Sequence, residues 1–188
     1  EFSNGMKLTC ETRYPYGFAD TYKIEKGGKM AIRIPSWSES YLVLLNKKPV
    51  RTEKIKGYVY IEVADGDTLI ITLDDSIKTN YPNTVIHDLS GKVALSRGPL
   101  VYCFEGVDND NDVLSIALKS GGKAIVTEIS DLPCDSIAIG VEAIRKTSPT
   151  GLYSFTPPLI EQIAAVGVPY YIWGNRGENQ MRVWMDEI

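Results

Sequence analysis

Apolar and polar positions alternate in short runs along most of this chain, and the run that organises the rest lies near its middle. Residues 91–105 place Val93, Leu95, Leu100, Val101, Tyr102 and Phe104 in a stretch too apolar to lie on a surface. Gly98-Pro99 interrupts it where a helix would have to continue. Short β-branched and aromatic runs around such a break predict two sheet segments joined by a bend.

The same texture extends in both directions. Residues 6–12 alternate, Tyr14-Pro15-Tyr16-Gly17 turns the chain, and Phe18, Tyr22 and Ile24 share one face of the next strand. After the Gly27-Gly28 turn, Met30, Ile32 and Ile34 oppose Lys29 and Arg33, as a half-buried strand requires. Residues 41–45 form an apolar run followed by turn-like Asn46-Lys47-Lys48-Pro49. The clearest hairpin signal comes next. Val59, Ile61 and Val63 alternate, Ala64-Asp65-Gly66-Asp67 turns, and Leu69, Ile71 and Leu73 alternate back. Beyond an acidic, Gly- and Asn-containing junction at 106–112, shorter strands are predicted at 113–118, 124–129, 137–141 and 152–155. Residues 159–168 fit a helix or a strand, whereas 170–173 and 181–185 read as strands. Strand and turn at this spacing predict an all-β chain, a sandwich or a barrel.

Composition narrows the function classes. With 188 residues the chain can form one large domain or two small ones, burying roughly 70% of its extended surface without disulfides or metal. A net charge of −4, with Lys and Arg scattered, argues against a nucleic-acid partner. No stretch approaches the ~20 apolar residues of a membrane span. The chain opens on Glu1 with no visible leader, and reads as a piece excised from something longer. Cys10, Cys103 and Cys134 are far apart and odd in number. They read as buried small hydrophobes; a disulfide framework is not expected, although one pair is compatible with the sequence.

Candidate chemistry is sparse. Glu62, Asp65, Asp67 and Asp88 fall on turns or solvent faces, where acids are expected without catalysis. His87 is the single histidine, and no Gly-x-Ser-x-Gly elbow accompanies it. No catalytic residue is therefore assigned. The cysteine spacing holds no zinc motif, and the acidic run 108–112 lacks the central Gly and closing Glu of a calcium loop. No metal site is assigned, and that run reads as a solvated loop. Sugars pack their C–H faces on exposed rings, which makes Trp37 and Tyr41 the candidate carbohydrate-binding residues. Trp173 and Trp184, in apolar strands, read as core.

Several blocks taken in order resemble one family. They are Thr12-Arg13-Tyr14-Pro15-Tyr16, Arg33-Ile34-Pro35-Ser36-Trp37, Gly57-Tyr58, Gly66-Asp67 before Leu73, Gly91-Lys92-Val93-Ala94-Leu95, and Arg97-Gly98-Pro99-Leu100-Val101-Tyr102-Cys103. Pro169-Tyr170-Tyr171-Ile172-Trp173, Asn175-Arg176-Gly177 and Val183-Trp184 complete the set. Together they resemble the C-terminal region of the β-L-arabinofuranosidase-like glycoside hydrolases, family 127 and its relatives, over nearly the whole chain.

The resemblance implies an upstream (α/α)6 barrel carrying a cysteine nucleophile and a zinc held by cysteines and a glutamate. None of that motif maps onto this chain, so Cys10 and Cys103 are not assigned as nucleophiles and no cofactor is assigned here. It implies two antiparallel β-sandwich modules of jelly-roll type: residues 1–105 completed by 168–188, and a smaller inserted module, 106–167. It also implies a non-catalytic accessory region that packs on the barrel of the same polypeptide. A carbohydrate-binding module for plant glycans is the alternative. The setting implied is bacterial, periplasmic or cytoplasmic, leaning to the envelope. One departure is Asn46-Lys47, where the family tends to have an Asn-Gly turn, so an altered hairpin is expected there.

Overall fold

Alternation becomes strand pairing first in residues 7–73. There β1 (Lys7–Glu11), β2 (Ala19–Lys26), β3 (Gly28–Arg33), β4 (Tyr41–Leu45), β5 (Lys48–Pro49), β6 (Lys54–Ile55), β7 (Tyr58–Val63) and β8 (Thr68–Leu73) follow in order. The structure is a computed structural model describing residues 2, 4–130, 132, 134–148 and 151–188. It divides into two compact units, Glu1–Ser76 and Ile77–Ile188.

The first unit has a five-stranded sheet in the order β1-β2-β8-β4-β5 and a three-stranded sheet in the order β3-β7-β6. Val43, Val59, Val63, Leu69 and Ile71 are among the residues of their shared buried cluster. The predicted hairpin is corrected here. Residues 58–63 and 68–73 are strands, but they do not pair: β7 bonds to β3 and β6, and β8 bonds to β2 and β4. The turn between them carries the chain from one sheet to the other. Both alternating faces are buried because the strands belong to opposing sheets, and alternation alone does not say which strand lies alongside.

The step from β2 to β3 makes the same passage between sheets, and the two passages nest. A Cβ on Gly27 would lie 2.3 Å from the Val63 carbonyl oxygen, so only glycine admits this approach. The Gly27 amide donates to Asp65 Oδ1 at 2.7 Å, tying one passage to the other. At the β4–β5 hairpin, Asn46 and Lys47 both take positive φ, 51° and 65°, so the two-residue turn forms although Lys replaces the expected Gly.

The second unit contains β9 (Ile77–Asn80), β10 (Lys92–Arg97), β11 (Leu100–Glu105), β12 (Ile116–Leu118), β13 (Ala124–Thr127), β14 (Ala138–Thr147), β15 (Leu159–Pro169), β16 (Met181–Arg182) and β17 (Met185–Glu187). Strand β11 pairs with β15, β15 with β14, β14 with β12, β12 with β17, β17 with β10, and β10 again with β11. The path of hydrogen bonds closes on itself. Pairing among the described residues is antiparallel apart from a short β12–β17 contact. The helical segments are 3-10 turns at His87–Leu89, Gly106–Asp108 and Tyr170–Ile172. The chain is all-β, built as two modules.

Residues 91–105 lie at the centre of the second unit, as their apolarity requires. Tyr102, Cys103, Phe104 and Glu105 are all fully buried, which places both faces of β11 inside from Tyr102 onward, whereas Val101, expected in the core, is exposed. The ambiguous 159–168 segment is strand β15, the longest in the chain. It pairs with β14 from Ile139 to Thr147 and with β11 from Tyr102 to Phe104. This pairing corrects the module boundary. Residues 92–105 and 185–187 join 138–169 in one sheet system, so the division falls between Ser76 and Ile77 and not at Gly106.

Three further expectations change. Residues 152–155 are not a strand; Leu152, Tyr153 and Phe155 stand almost fully exposed between the distal ends of β14 and β15. Residues 170–173 leave the sheet in a 3-10 turn, putting Trp173 at the surface instead of in the core. Of the cysteines, only Cys103 is buried; Cys10 and Cys134 are exposed, and none of the three is in a disulfide.

Candidate functional site

A buried cluster of charge lies where β11 ends and the loop after Tyr170–Ile172 passes beside it. Arg176 donates from Nη1 to Asp108 Oδ1 at 2.8 Å, and from Nη2 to Asp108 Oδ2 and Glu105 Oε2, each at 2.5 Å. Glu105 is fully buried, and the side chains of Asp108 and Arg176 are 13% and 10% exposed. The remaining oxygen of Glu105 accepts the Gly174 amide at 3.2 Å and Asn179 Nδ2 at 3.4 Å. Asp108 bonds, desolvation notwithstanding, and the added bonds to Glu105 hold Arg176 in its cationic form well above the ordinary guanidinium range.

Neighbouring amides extend this clasp. Buried Asn109 donates to the Glu105 and Val166 carbonyls at 2.7 and 2.9 Å and accepts the Val166 amide at 2.9 Å. The Gly106 amide donates to Gln180 O and Asn179 Oδ1, and Gln180 Oε1 accepts from the Val113 amide. Arg145 reaches Asp110 at 2.8 Å and the Asn109 carbonyl at 3.2 Å. The expected solvated loop at 108–112 is thus partly buried, with its acids turned to arginines and backbone amides. A cation would have to displace those donors.

The chemistry open to the clasp follows from its geometry. A general acid or base must exchange a proton with a group facing open space. Glu105 has no exposure, and both its oxygens are held. It joins two loops. A cavity of about 340 Å³ lies beside the clasp, lined by Asp108, Arg176 and Ser130, but its charged groups already face one another.

The acids singled out in the sequence sit apart from this cluster. Asp65 and Asp67 serve turns, Asp65 accepting from Gly27 and Asp67 from Asn46 and Ala64. The Asn46 bond, then the Ala64 amide, holds Asp67 below the usual carboxylate range against a smaller effect of burial. Glu62, His87 and Asp88 are exposed. Among the described residues no three His, Cys, Asp or Glu side chains group to hold a metal, and burial, then Glu105, pushes the Cys103 thiol up to about 12.

Trp37 and Tyr41 both belong to the first unit and pack against its core. The Trp37 ring meets Phe18 edge-on with centroids 5.5 Å apart, and the Tyr41 hydroxyl donates to the Thr52 carbonyl at 3.3 Å. Both are half-buried in a core wall, not raised as an open platform. Among the exposed rings, Tyr170, Tyr171 and Trp173 lie close together in sequence, with Tyr170 and Trp173 stacked at 6.3 Å and 12°.

The fold thus gives two all-β modules, the second holding the buried Glu105, Asp108 and Arg176 cluster. Comparison with known proteins gives the family. Residues 2–75 match "Beta-L-arabinofuranosidase, GH127 middle domain", and residues 77–186 match "Glycoside hydrolase family 127 C-terminal domain". The chain belongs to glycoside hydrolase family 127, of which it comprises the middle and C-terminal domains. It is 32% identical to the non-reducing end β-L-arabinofuranosidase of Bifidobacterium longum, across 98% of this chain but 31% of that protein. A crystal structure of a family 127 β-L-arabinofuranosidase from Geobacillus stearothermophilus T6 superposes with a TM-score of 0.87 at 30% identity, covering 97% of this chain and 31% of that one. Another family 127 β-arabinofuranosidase gives 0.87 at 26% identity, with 97% and 32% covered. The chain therefore spans about a third of the length of these relatives.

Proposed function

We propose that this chain is the non-catalytic part of a β-L-arabinofuranosidase, and that it packs on and stabilises an (α/α)6 catalytic barrel in the same polypeptide. The observation that carries this reading is the match itself: nearly all of this chain aligns with only 31% of a β-L-arabinofuranosidase, leaving the larger part for the chemistry. Two features support it. Glu105 and Asp108 are held by Arg176 in a closed arrangement that suits stiffness more than proton exchange. Leu152, Tyr153, Phe155 and Leu159 are 76–111% exposed around the distal end of the β14–β15 ribbon, an apolar surface suited to covering by another domain.

Expression of this chain alone and of a full-length parent, with and without this region, tests the proposal. The chain alone should unfold cooperatively and release no arabinose from an aryl β-L-arabinofuranoside. The parent should lose stability when the region is deleted. Hydrolysis by the isolated chain, or a deleted parent of unchanged activity and melting temperature, would overturn the proposal.

A further inference from the structure

The second unit has another concavity, away from the clasp, of about 360 Å³. It lies within the usual range of roughly 300–1,000 Å³ for small-molecule sites, at the end suited to one or two sugar rings. Its walls come from the loop between β9 and β10, the start of β10 and the last strand, β17: Tyr81, Pro82, Asn83, Ile86, Lys92 and Glu187. Turn bonds hold the loop in shape, Asn83 Oδ1 accepting the Val85 amide at 3.1 Å and Asn83 O accepting the Ile86 amide at 2.9 Å. Glu187 is anchored by its amide, which donates to Gly91 O at 2.9 Å.

Donors and acceptors with capacity to spare meet here beside a ring. Tyr81 is 64% exposed, and its hydroxyl makes only a long 3.4 Å bond to Glu187 Oε1. Lys92 is held by Asp186, yet an ammonium offers more donors than one carboxylate uses. The Asn83 amide nitrogen adds a donor, and the Glu187 carboxylate has unfilled acceptor positions. This set is complementary to adjacent hydroxyls on a sugar. One hydroxyl donates to Glu187, its neighbour accepts from Lys92 or Asn83, and the C–H face rests on Tyr81 and Pro82. The cavity beside the clasp offers less, since its Arg and Asp are already paired.

We infer that the pocket formed by Tyr81, Asn83, Lys92 and Glu187 is a surface binding site for a single glycosyl unit. The assignment does not depend on the bracing role. Amide-resolved NMR titration of this chain tests it, with methyl β-L-arabinofuranoside and methyl β-D-galactopyranoside as probes and glycerol as the acyclic control. Saturable, millimolar-or-tighter binding of either glycoside is expected, with shifts centred on residues 81–92 and 185–187. Tyr81→Ala and the isosteric Glu187→Gln should each weaken it by about tenfold or more. If Tyr81→Ala disturbs amides throughout the unit, Glu187→Gln decides the matter. Neither glycoside saturating, glycerol acting equally well, or both variants binding as the parent does would overturn the assignment. None of those results would bear on whether the chain braces a barrel.

Discussion

Replacing Arg176 with methionine tests whether the clasp holds the second unit together. Methionine approximates the aliphatic stem of arginine and removes the charge, leaving Glu105 fully buried without its cation and Asp108 largely so. Breaking a buried pair from one side costs about 3–5 kcal/mol, because the remaining charge is neither solvated nor matched. A domain's entire stability is about 5–15 kcal/mol, so the loss would be large and readily measured. Urea unfolding followed by tryptophan fluorescence is the assay, with the midpoint and slope fitted together. The double variant Glu105→Gln/Arg176→Met should recover part of the loss, since an amide can still accept from Gly174 and carries no charge. Arg176→Lys should fall between, keeping the charge while losing the two-pronged contact with Asp108. A loss below about 1 kcal/mol in Arg176→Met, or a double variant no more stable than the single, would refute the reasoning.

Other perturbations address the remaining parts of the fold. Gly27→Ala places a Cβ 2.3 Å from Val63 O, so the nested passages must separate, lowering stability by about 1–3 kcal/mol and the melting temperature by several degrees. An unchanged melting temperature would show that the approach is not needed. Thiol labelling of the folded chain should modify Cys10 and Cys134, with Cys103 reacting only on unfolding; a fast third thiol would contradict the burial of β11. The Asp186 carboxyl is raised by burial but drawn down further by Lys92 and then Arg182, giving a net value below the ordinary carboxylate. Its contribution is therefore present above the unfolded value of about 3.9 and lost as pH falls through the lower folded value. The stability gap between the parent and Asp186→Asn should shrink on acidification below about pH 4, and a pH-independent gap would rule this linkage out.

What the sequence conveyed best was the presence of strands, and what it conveyed worst was which strands lie together. Val59, Ile61 and Val63 face a core, and so do Leu69, Ile71 and Leu73, which made residues 58–73 look like a hairpin. A strand in either of two opposing sheets shows the same alternation, so the period reports burial without naming the neighbour. The discriminating sign was Gly27, whose place against Val63 and Ala64 marks two passages between sheets, but its reach across the sequence was invisible. The module boundary was misplaced for a related reason. Residues 102–105 are buried on both faces, and their partner β15 was the segment whose periodicity did not choose between helix and strand.

The clasp was harder to read because its members carry residue types that usually mark solvent. Glu105 ended an apolar run and looked like its polar terminus, and Asp108 began an acidic stretch that looked like a surface loop. Only the return of Arg176 beside them, from a position remote in sequence, makes burial of the carboxylates tenable. That dependence explains why the two ends of the unit are joined by charge as well as by strands. The Gly106 amide donates to Gln180 and Asn179 and the Val113 amide to Gln180, so shifting the 174–180 loop would leave both amides without these partners at once. Unpartnered buried amides are costly, which makes the loop's position part of the fold and not an adjustable surface feature. The exposed rings of Tyr170, Tyr171 and Trp173 are carried at the base of that same loop. Loosening Arg176 would therefore disturb the aromatic surface beside it as well as the core beneath.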